Sequence, residues 1–197
     1  MNLQRITLRG SLHFPGIFLL LSASLLLTAV PASSQKRKSS RSATPAAVQD
    51  ILLAEKGTSQ YRIIIPASPV PDERRAAEVL QDYFLQVTGA ALPVIAADKN
   101  EKGVPFEIIL GQNERLDRLG IQINFNELGE DGFIIRTDSL RLIIAGGSKK
   151  GTLYGVYTFL EKYLDCRMYS PAVRIVPKKE KILLGRIEDR QIPLIKY

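Results

Sequence analysis

Few side chains in this 197-residue sequence could make or break a covalent bond. It has one His, one Cys and no Trp. The His is His13, inside a segment that reads as a removable leader, and the Cys is Cys166. A Ser-His-Asp or Cys-His nucleophile system needs an imidazole in the working protein. A disulfide needs two thiols, and a zinc site needs several His or Cys ligands. Those chemistries are excluded, no metal site is expected, and no cofactor is called for.

Three other groups merit weighing. Gly146-Gly147-Ser148-Lys149-Lys150-Gly151-Thr152 leads into a helix and has the look of a phosphate loop. A P-loop, however, places Lys directly after its last Gly and then Ser or Thr, whereas Thr152 follows Gly151 here. A tight strand-to-helix turn is the leading reading, with an anion at the helix start as the alternative. Glu127, Glu130 and Asp131 form the densest group of acids. Paired carboxylates could do glycosidase acid–base work, but acids so close on one turn normally diverge into water. The calcium-loop pattern of alternating acids ending in Gly is absent. Tyr154, Tyr157 and Tyr163, with Tyr169 beyond them, make up the main aromatic group. At helical spacing they read first as core and rim residues, and second as a stacking platform for sugar rings, with Tyr154 and Tyr169 as the candidates. Cys166 reads as a small buried hydrophobe.

The elements that must position these residues are legible from about Val48. Ile51-Leu52-Leu53 and Tyr61-Arg62-Ile63-Ile64-Ile65 are short β-type runs. Pro71-Asp72-Glu73 starts a helix, with Pro fixing φ and acids at the positive dipole end. Thr88-Gly89 ends it. Ala77, Leu80, Phe84 and Val87 recur at threes and fours, so one face is packed. Leu92-Pro93-Val94-Ile95 is edge-like, Lys99 to Gly103 is a polar turn, and Phe106 to Leu110 is a strand stopped by Gly111. Asn113 to Leu119 is a weakly signalled short helix. Residues 132–137 and 140–145 flank Asp138-Ser139 as a hairpin. A second one-faced helix runs from Lys150 to Leu164 along Leu153, Val156, Leu160 and Leu164, and further β-type pieces follow at Met168-Tyr169, Val173–Val176 and Ile182–Leu184. Together they predict an α+β two-layer sandwich: a mixed β-sheet with two main helices on one face.

The N-terminal segment has a different character. Arg5 and Arg9 precede an apolar run from Ile17 to Val30, and Pro31-Ala32-Ser33-Ser34 follows. A basic start, an apolar run and small residues at a cleavage point define a secretory signal peptide. The run is interrupted by Ser22, Ser24 and Thr28 and falls short of the about 20 apolar residues of a membrane span. Residues 1–34 are therefore expected to be cleaved, after Ala32 or Ser34, and the mature protein to be periplasmic or extracellular without a stable membrane span. Residues 35–47, rich in Ser, Ala, Lys and Arg, read as a flexible basic linker.

The formal charge of +7 falls to +5 without Arg5 and Arg9, and to +1 without Lys36, Arg37, Lys38 and Arg41. The basic excess thus belongs to leader and linker, which speaks against a nucleic-acid partner. The 163 residues left of 197 after a 34-residue leader suit one domain, placed at 48–187 with a tail at 188–197. They fall short of the roughly 200 or more that a (β/α)₈ barrel takes.

A family resemblance accompanies this reading. Thr88-Gly89-Ala90-Ala91-Leu92-Pro93-Val94 resembles a segment of the N-terminal domain of bacterial α-glucuronidases and related glycoside hydrolases. Ile108-Ile109-Leu110-Gly111 and Gly129-Glu130-Asp131-Gly132-Phe133-Ile134-Ile135 resemble the next two strand motifs of that domain. The most specific stretch runs from Gly151-Thr152-Leu153-Tyr154-Gly155-Val156-Tyr157 through Cys166-Arg167-Met168-Tyr169-Ser170-Pro171. It is also similar, more loosely, to the domain that precedes the barrel in β-N-acetylhexosaminidases. Asp165 stands where the family usually has Gly, and Met168 where it often has an aromatic residue. The resemblance implies a two-layer domain of zincin-like shape, although His-Glu-x-x-His is missing, placed before a (β/α)₈ barrel that carries the catalytic carboxylates. No position here corresponds to those carboxylates.

The expectation is therefore a non-catalytic accessory domain of an exported glycoside hydrolase, packing on a barrel through Arg167, Met168, Tyr169 and Pro171. Two alternatives stand beside it: a free-standing envelope carbohydrate-binding module, and an envelope protein whose basic linker touches anionic polymer.

Overall fold

The computed structural model describes residues 50–98, 103–170 and 172–194, all within the unit that runs from Ala43 to Tyr197. The proposed leader and linker, most of the turn at 99–103, Pro171 and residues 195–197 lie outside the described residues.

In chain order the elements are β1 (Ile51–Glu55), β2 (Arg62–Ile65), α1 (Pro71–Thr88), β3 (Val94–Ala96), β4 (Glu107–Leu110), α2 (Glu114–Arg118) and α3 (Phe125–Leu128). Then come β5 (Phe133–Asp138), β6 (Arg141–Gly146), α4 (Gly151–Lys162), β7 (Arg167–Met168), β8 (Arg174–Ile175), β9 (Lys181–Leu184) and β10 (Glu188–Gln191). Six strands form one mixed sheet in the order β10-β5-β6-β4-β2-β3. Strands β3, β2, β4 and β6 run parallel, while β5 lies antiparallel to β6 and β10 antiparallel to β5. Two antiparallel ribbons, β1 with β9 and β7 with β8, stand apart from this sheet.

The aliphatic strand runs bury both of their faces, as strands covered on two sides do. Ile108, Leu110, Ile135, Leu142 and Ile144 point into the main core with Leu80, Phe84, Val156, Phe159 and Leu160 of the two long helices. The alternate residues Ile109, Ile134, Ile143 and Ala145 point the other way, into a smaller core capped by Leu116, Ile121 and Leu128. The mixed sheet with two main helices on one face is thus the predicted architecture, and the 113–128 segment covers part of the opposite face. Asn113 docks that cover. Its Oδ1 accepts from the Arg115 N–H at 3.0 Å, and its Nδ2 donates to the Ile64 carbonyl at 3.1 Å.

Both long helices match their signals. Pro71 opens α1, and its chain leaves through Gly89 in the left-handed region at φ 79°. The hairpin at 133–146 turns at Ser139, whose φ is 54°. One boundary needs correction. Residues 188–191, assigned from sequence to a tail, form β10 on the sheet edge, with Glu188 opposite Arg136 and Gln191 opposite Phe133. Glu-Asp-Arg-Gln has no apolar residue because this edge strand is held by backbone pairing and buries almost nothing, so no alternation marks it.

Candidate functional site

The glycine-rich junction between β6 and α4 is a backbone-to-backbone contact. The N–H groups of Gly147, Ser148 and Lys149 donate to the carbonyls of Gly132, Gly129 and Glu130 at 2.8, 3.1 and 3.0 Å. A Cβ on Gly146 would lie 2.0 Å from the Gly151 carbonyl carbon, and one on Gly147 would lie 1.9 Å from the Gly129 oxygen. These three loop donors are already used, and the close approach of Gly146 and Gly147 to other backbone supports the tight-turn reading.

The acidic group is dispersed. Glu127 pairs with Arg190 of β10, whose hydrogen bond and charge hold its carboxyl below the ordinary value. Glu130 pairs with Lys149 at 2.6 Å and keeps that ammonium charged to higher pH. The two carboxylates thus serve different cations at the surface and do not face each other across a cleft. Among the described residues, no group of three or more His, Cys, Asp or Glu could hold a metal ion.

The tyrosines divide by role. Tyr163 stacks on Phe159 with ring centroids 5.7 Å apart, and its hydroxyl donates to Asp189 at 3.3 Å. Burial, then the Asp189 charge, pushes its phenol above the ordinary value. Tyr154 is 40% exposed, and Tyr169 is 69% exposed. The structure does not bring these two together. Tyr169 lies on the rim of an open groove of about 850 Å³, with Tyr83 of α1 and Tyr157 of α4 also in its lining; Tyr154 is not part of it. Cys166 is buried, and burial pushes its thiol up.

The groove lies between α1, α4 and the β7–β8 hairpin. Arg75, Glu78, Val79 and Asp82 line it from α1, Glu161 from α4, and Arg167, Met168, Ser170 and Arg174 from the hairpin segment. Arg75 pairs with Glu78 at 3.2 Å, and Arg167 lies 4.0 Å from the Glu161 carboxylate while donating to the Glu161 carbonyl at 2.8 Å. The Arg174 guanidinium sits 5.8 Å from the centroid of Tyr83. The sequence marks Arg167, Met168 and Tyr169 for a barrel contact, and Tyr169 also for sugar stacking, whereas Tyr83 and Arg174 are not singled out. Tyr83 sits beside the stripe residue Phe84 in an apolar stretch of α1, and Arg174 falls between the apolar residues of a β-type run.

A second unforeseen feature is Glu107, fully buried at the start of β4. Its carboxylate meets Arg62 at 2.9 Å, Arg115 at 3.5 Å and Arg141 at 3.6 Å. A signal for it was present in the sequence. Arg62, Glu107 and Arg141 each open a parallel strand and are each followed by three aliphatic residues, so strand pairing in register sets three charges side by side.

The sheet and its helical cover define a small α+β domain with an open groove on its helical side. Residues 32–159 match the family described as the glycosyl hydrolase family 67 N-terminus, and the chain belongs to that family. In structure it is similar to the family GH115 4-O-methyl-α-glucuronidase BtGH115A, which has specificity for decorated arabinogalactans. Identity is 22% and the TM-score 0.50, over 75% of this chain and 19% of that one. It is also similar to the GH20 β-N-acetylhexosaminidase from Streptomyces coelicolor A3(2), with 21% identity and a TM-score of 0.43, over 74% of this chain and 25% of that one. The chain therefore spans a fifth to a quarter of these enzymes' length. No curated protein matches it in sequence.

Proposed function

We propose that this chain is the non-catalytic N-terminal accessory domain of an exported glycoside hydrolase of the α-glucuronidase type, and that it works by packing against a (β/α)₈ catalytic barrel. The observation that carries this reading is the match of residues 32–159 to an N-terminal hydrolase domain. The dispersal of Glu127 and Glu130 onto separate cations supports it. Export rests on the leader-like pattern of residues 1–34.

The barrel contact is assigned to the segment from Arg167 to Pro171 and the strand that follows it. In the β7–β8 hairpin Met168 pairs with Arg174, and Arg167 with Ile175. Arg167, Met168 and Arg174 line the groove, whereas Val173 and Ile175 are outside its lining and are 56% and 54% exposed. An apolar patch of that kind suits a partner surface.

The test is to assay the 197-residue chain on aryl glycosides and glucuronoxylan. No turnover is expected. Turnover that disappears on substituting a single carboxylate would overturn the non-catalytic assignment.

A further inference from the structure

We infer that a second groove, beyond the carboxyl ends of β2 and β4, binds a small organic cation: an alkylammonium whose charge meets Asp117 and Glu114 and whose stem lies on Ile121, Ile123 and Phe125. This site stands apart from the proposed barrel contact, since none of its lining comes from residues 167–171.

The connections of two neighbouring strands create the space. β2 and β4 lie side by side and parallel. From β2 the chain passes into α1, which packs in the main core, and from β4 into α2, whose Leu116 caps the smaller core on the opposite face. Where adjacent parallel strands send their connections to opposite faces, a crevice opens outside their carboxyl ends, and open α/β sheets hold ligands there. Asn113 closes the centre of this crevice, because its Nδ2 donates to the carbonyls of Ile64 at 3.1 Å and Leu110 at 3.3 Å. The space left beside it, about 680 Å³, is bounded by α2 and residues 121–125. Small-ligand sites span roughly 300–1,000 Å³.

The lining selects the charge. Glu114 and Asp117 stand in it, and no Lys or Arg does. Three residues apart on α2, the two acids share one side of the helix. Glu114 accepts from the Ala67 N–H at 3.3 Å, which ties it to the segment after β2. Asp117 makes no side-chain hydrogen bond or ion pair among the described residues, so its carboxylate is available to a cation. Of the arginines on α2, Arg115 is turned to Glu107 and Arg118 is outside the lining. An anionic ligand would meet two carboxylates and no positive charge. A hydrated inorganic cation would make no use of Ile123 and Phe125, which are only partly buried. An ammonium on an aliphatic stem satisfies both the acids and the apolar floor, as a charged head on an apolar stem does elsewhere.

Titration of the isotope-labelled 197-residue chain with pentylamine, pentanol and methylamine, followed by amide chemical shifts, tests this. Pentylammonium should shift residues 112–125 saturably. At low salt it should bind about fivefold tighter than pentanol, which lacks the charge, and than methylammonium, which lacks the stem; one exposed ion pair or one to two buried methylenes supply a difference of that size. The preference over pentanol should fade between about 10 mM and about 1 M salt, as the screening length falls from about 30 to about 3 Å. Asp117→Asn should remove most of that preference, and Asp82→Asn, in the other groove, should leave it unchanged. Both positions are exposed, and circular dichroism checks that each variant is folded. Absence of saturable binding, shifts centred outside residues 112–125, equal affinity for pentylammonium and either control, or a charge preference that survives Asp117→Asn would each overturn the assignment. A lysine-centred tripeptide that binds more tightly than pentylammonium would give the site to a protein partner and overturn the assignment to a free amine.

Discussion

Glu73 fills the space where a side chain on residue 111 would stand: a Cβ on Gly111 would lie 2.1 Å from its Oε1. The same carboxylate accepts from the Val70 N–H at 3.0 Å and from the Gln112 N–H at 3.1 Å. One buried acid thus caps α1 and ties its first turn to the loop after β4. Gly111 has φ 72°, so a substitution there suffers twice. Gly111→Ala should cost about 2–4 kcal/mol, combining the left-handed penalty with loss of the helix cap. Urea denaturation measures it. In a Glu73→Ala background the same change should cost less, because the clash is gone. Strictly additive losses would show that the two residues are not coupled.

Tyr61 is 2% exposed and donates to the Leu140 carbonyl at 2.7 Å. Burial pushes its phenol up to about 12. Because the folded value lies above the unfolded one near 10, its contribution is intact below pH 10 and is lost as pH rises toward 12, by about 2–3 kcal/mol in all. Tyr61→Phe should cost about 1 kcal/mol at neutral pH yet decline more gently between pH 9 and 11.5. Parallel urea-midpoint curves for the two proteins would remove Tyr61 as the source of the alkaline loss.

Much of this fold could be read from periodicity. The α1 stripe, the β5–β6 hairpin and the strand stopped by Gly111 each carry their signal within a single element. What stayed hidden depends on partners distant in sequence. β10 has no apolar alternation because an edge strand can be held by its backbone alone. The groove gathers Tyr83, Tyr157 and Arg174 from three elements, and each fits the local pattern of its own element. Tyr154 stood out for its place in a family-like motif, and the groove's lining comes from its neighbour one turn away instead.

Asp165 gives a physical meaning to a departure from the family pattern. It stands where the family usually has Gly, and its φ is 60°, a region costly for a residue with a Cβ. Its carboxylate reaches Lys179 at 2.6 Å, whose hydrogen bond and charge hold the acid below its ordinary value. The pair is exposed on the acid's side and contributes little. Asp165→Gly should therefore raise Tm by a few degrees in a thermal melt, since relief of the backbone outweighs the lost pair. A fall in Tm would mean that the Lys179 contact dominates.

The exposed side chains of Val173 and Ile175 should make the isolated chain self-associate. Glu in place of Val173 and Ile175 should lower the associated fraction in sedimentation velocity while leaving stability within about 0.5 kcal/mol, as exposed substitutions usually do. Unchanged association would remove this patch as a contact surface.

Glu107 carries the largest expected single-residue effect. It is fully buried, and Arg115 beside it is 1% exposed, so water does little to screen the group. One carboxylate faces guanidiniums from β2, β6 and α2, and their mutual repulsion is offset at its oxygens. Glu107→Gln keeps the shape and removes the charge. Breaking a buried ionic arrangement from one side costs about 3–5 kcal/mol, a large share of the roughly 5–15 kcal/mol that holds a domain folded. The variant should unfold at far lower urea. Replacing Glu107 and Arg141 together by Gln and Met should cost less than Glu107→Gln alone, because one of the opposing cations leaves with the acid. If the double variant is the less stable of the two, the cluster is held by packing and not by the balance of its charges.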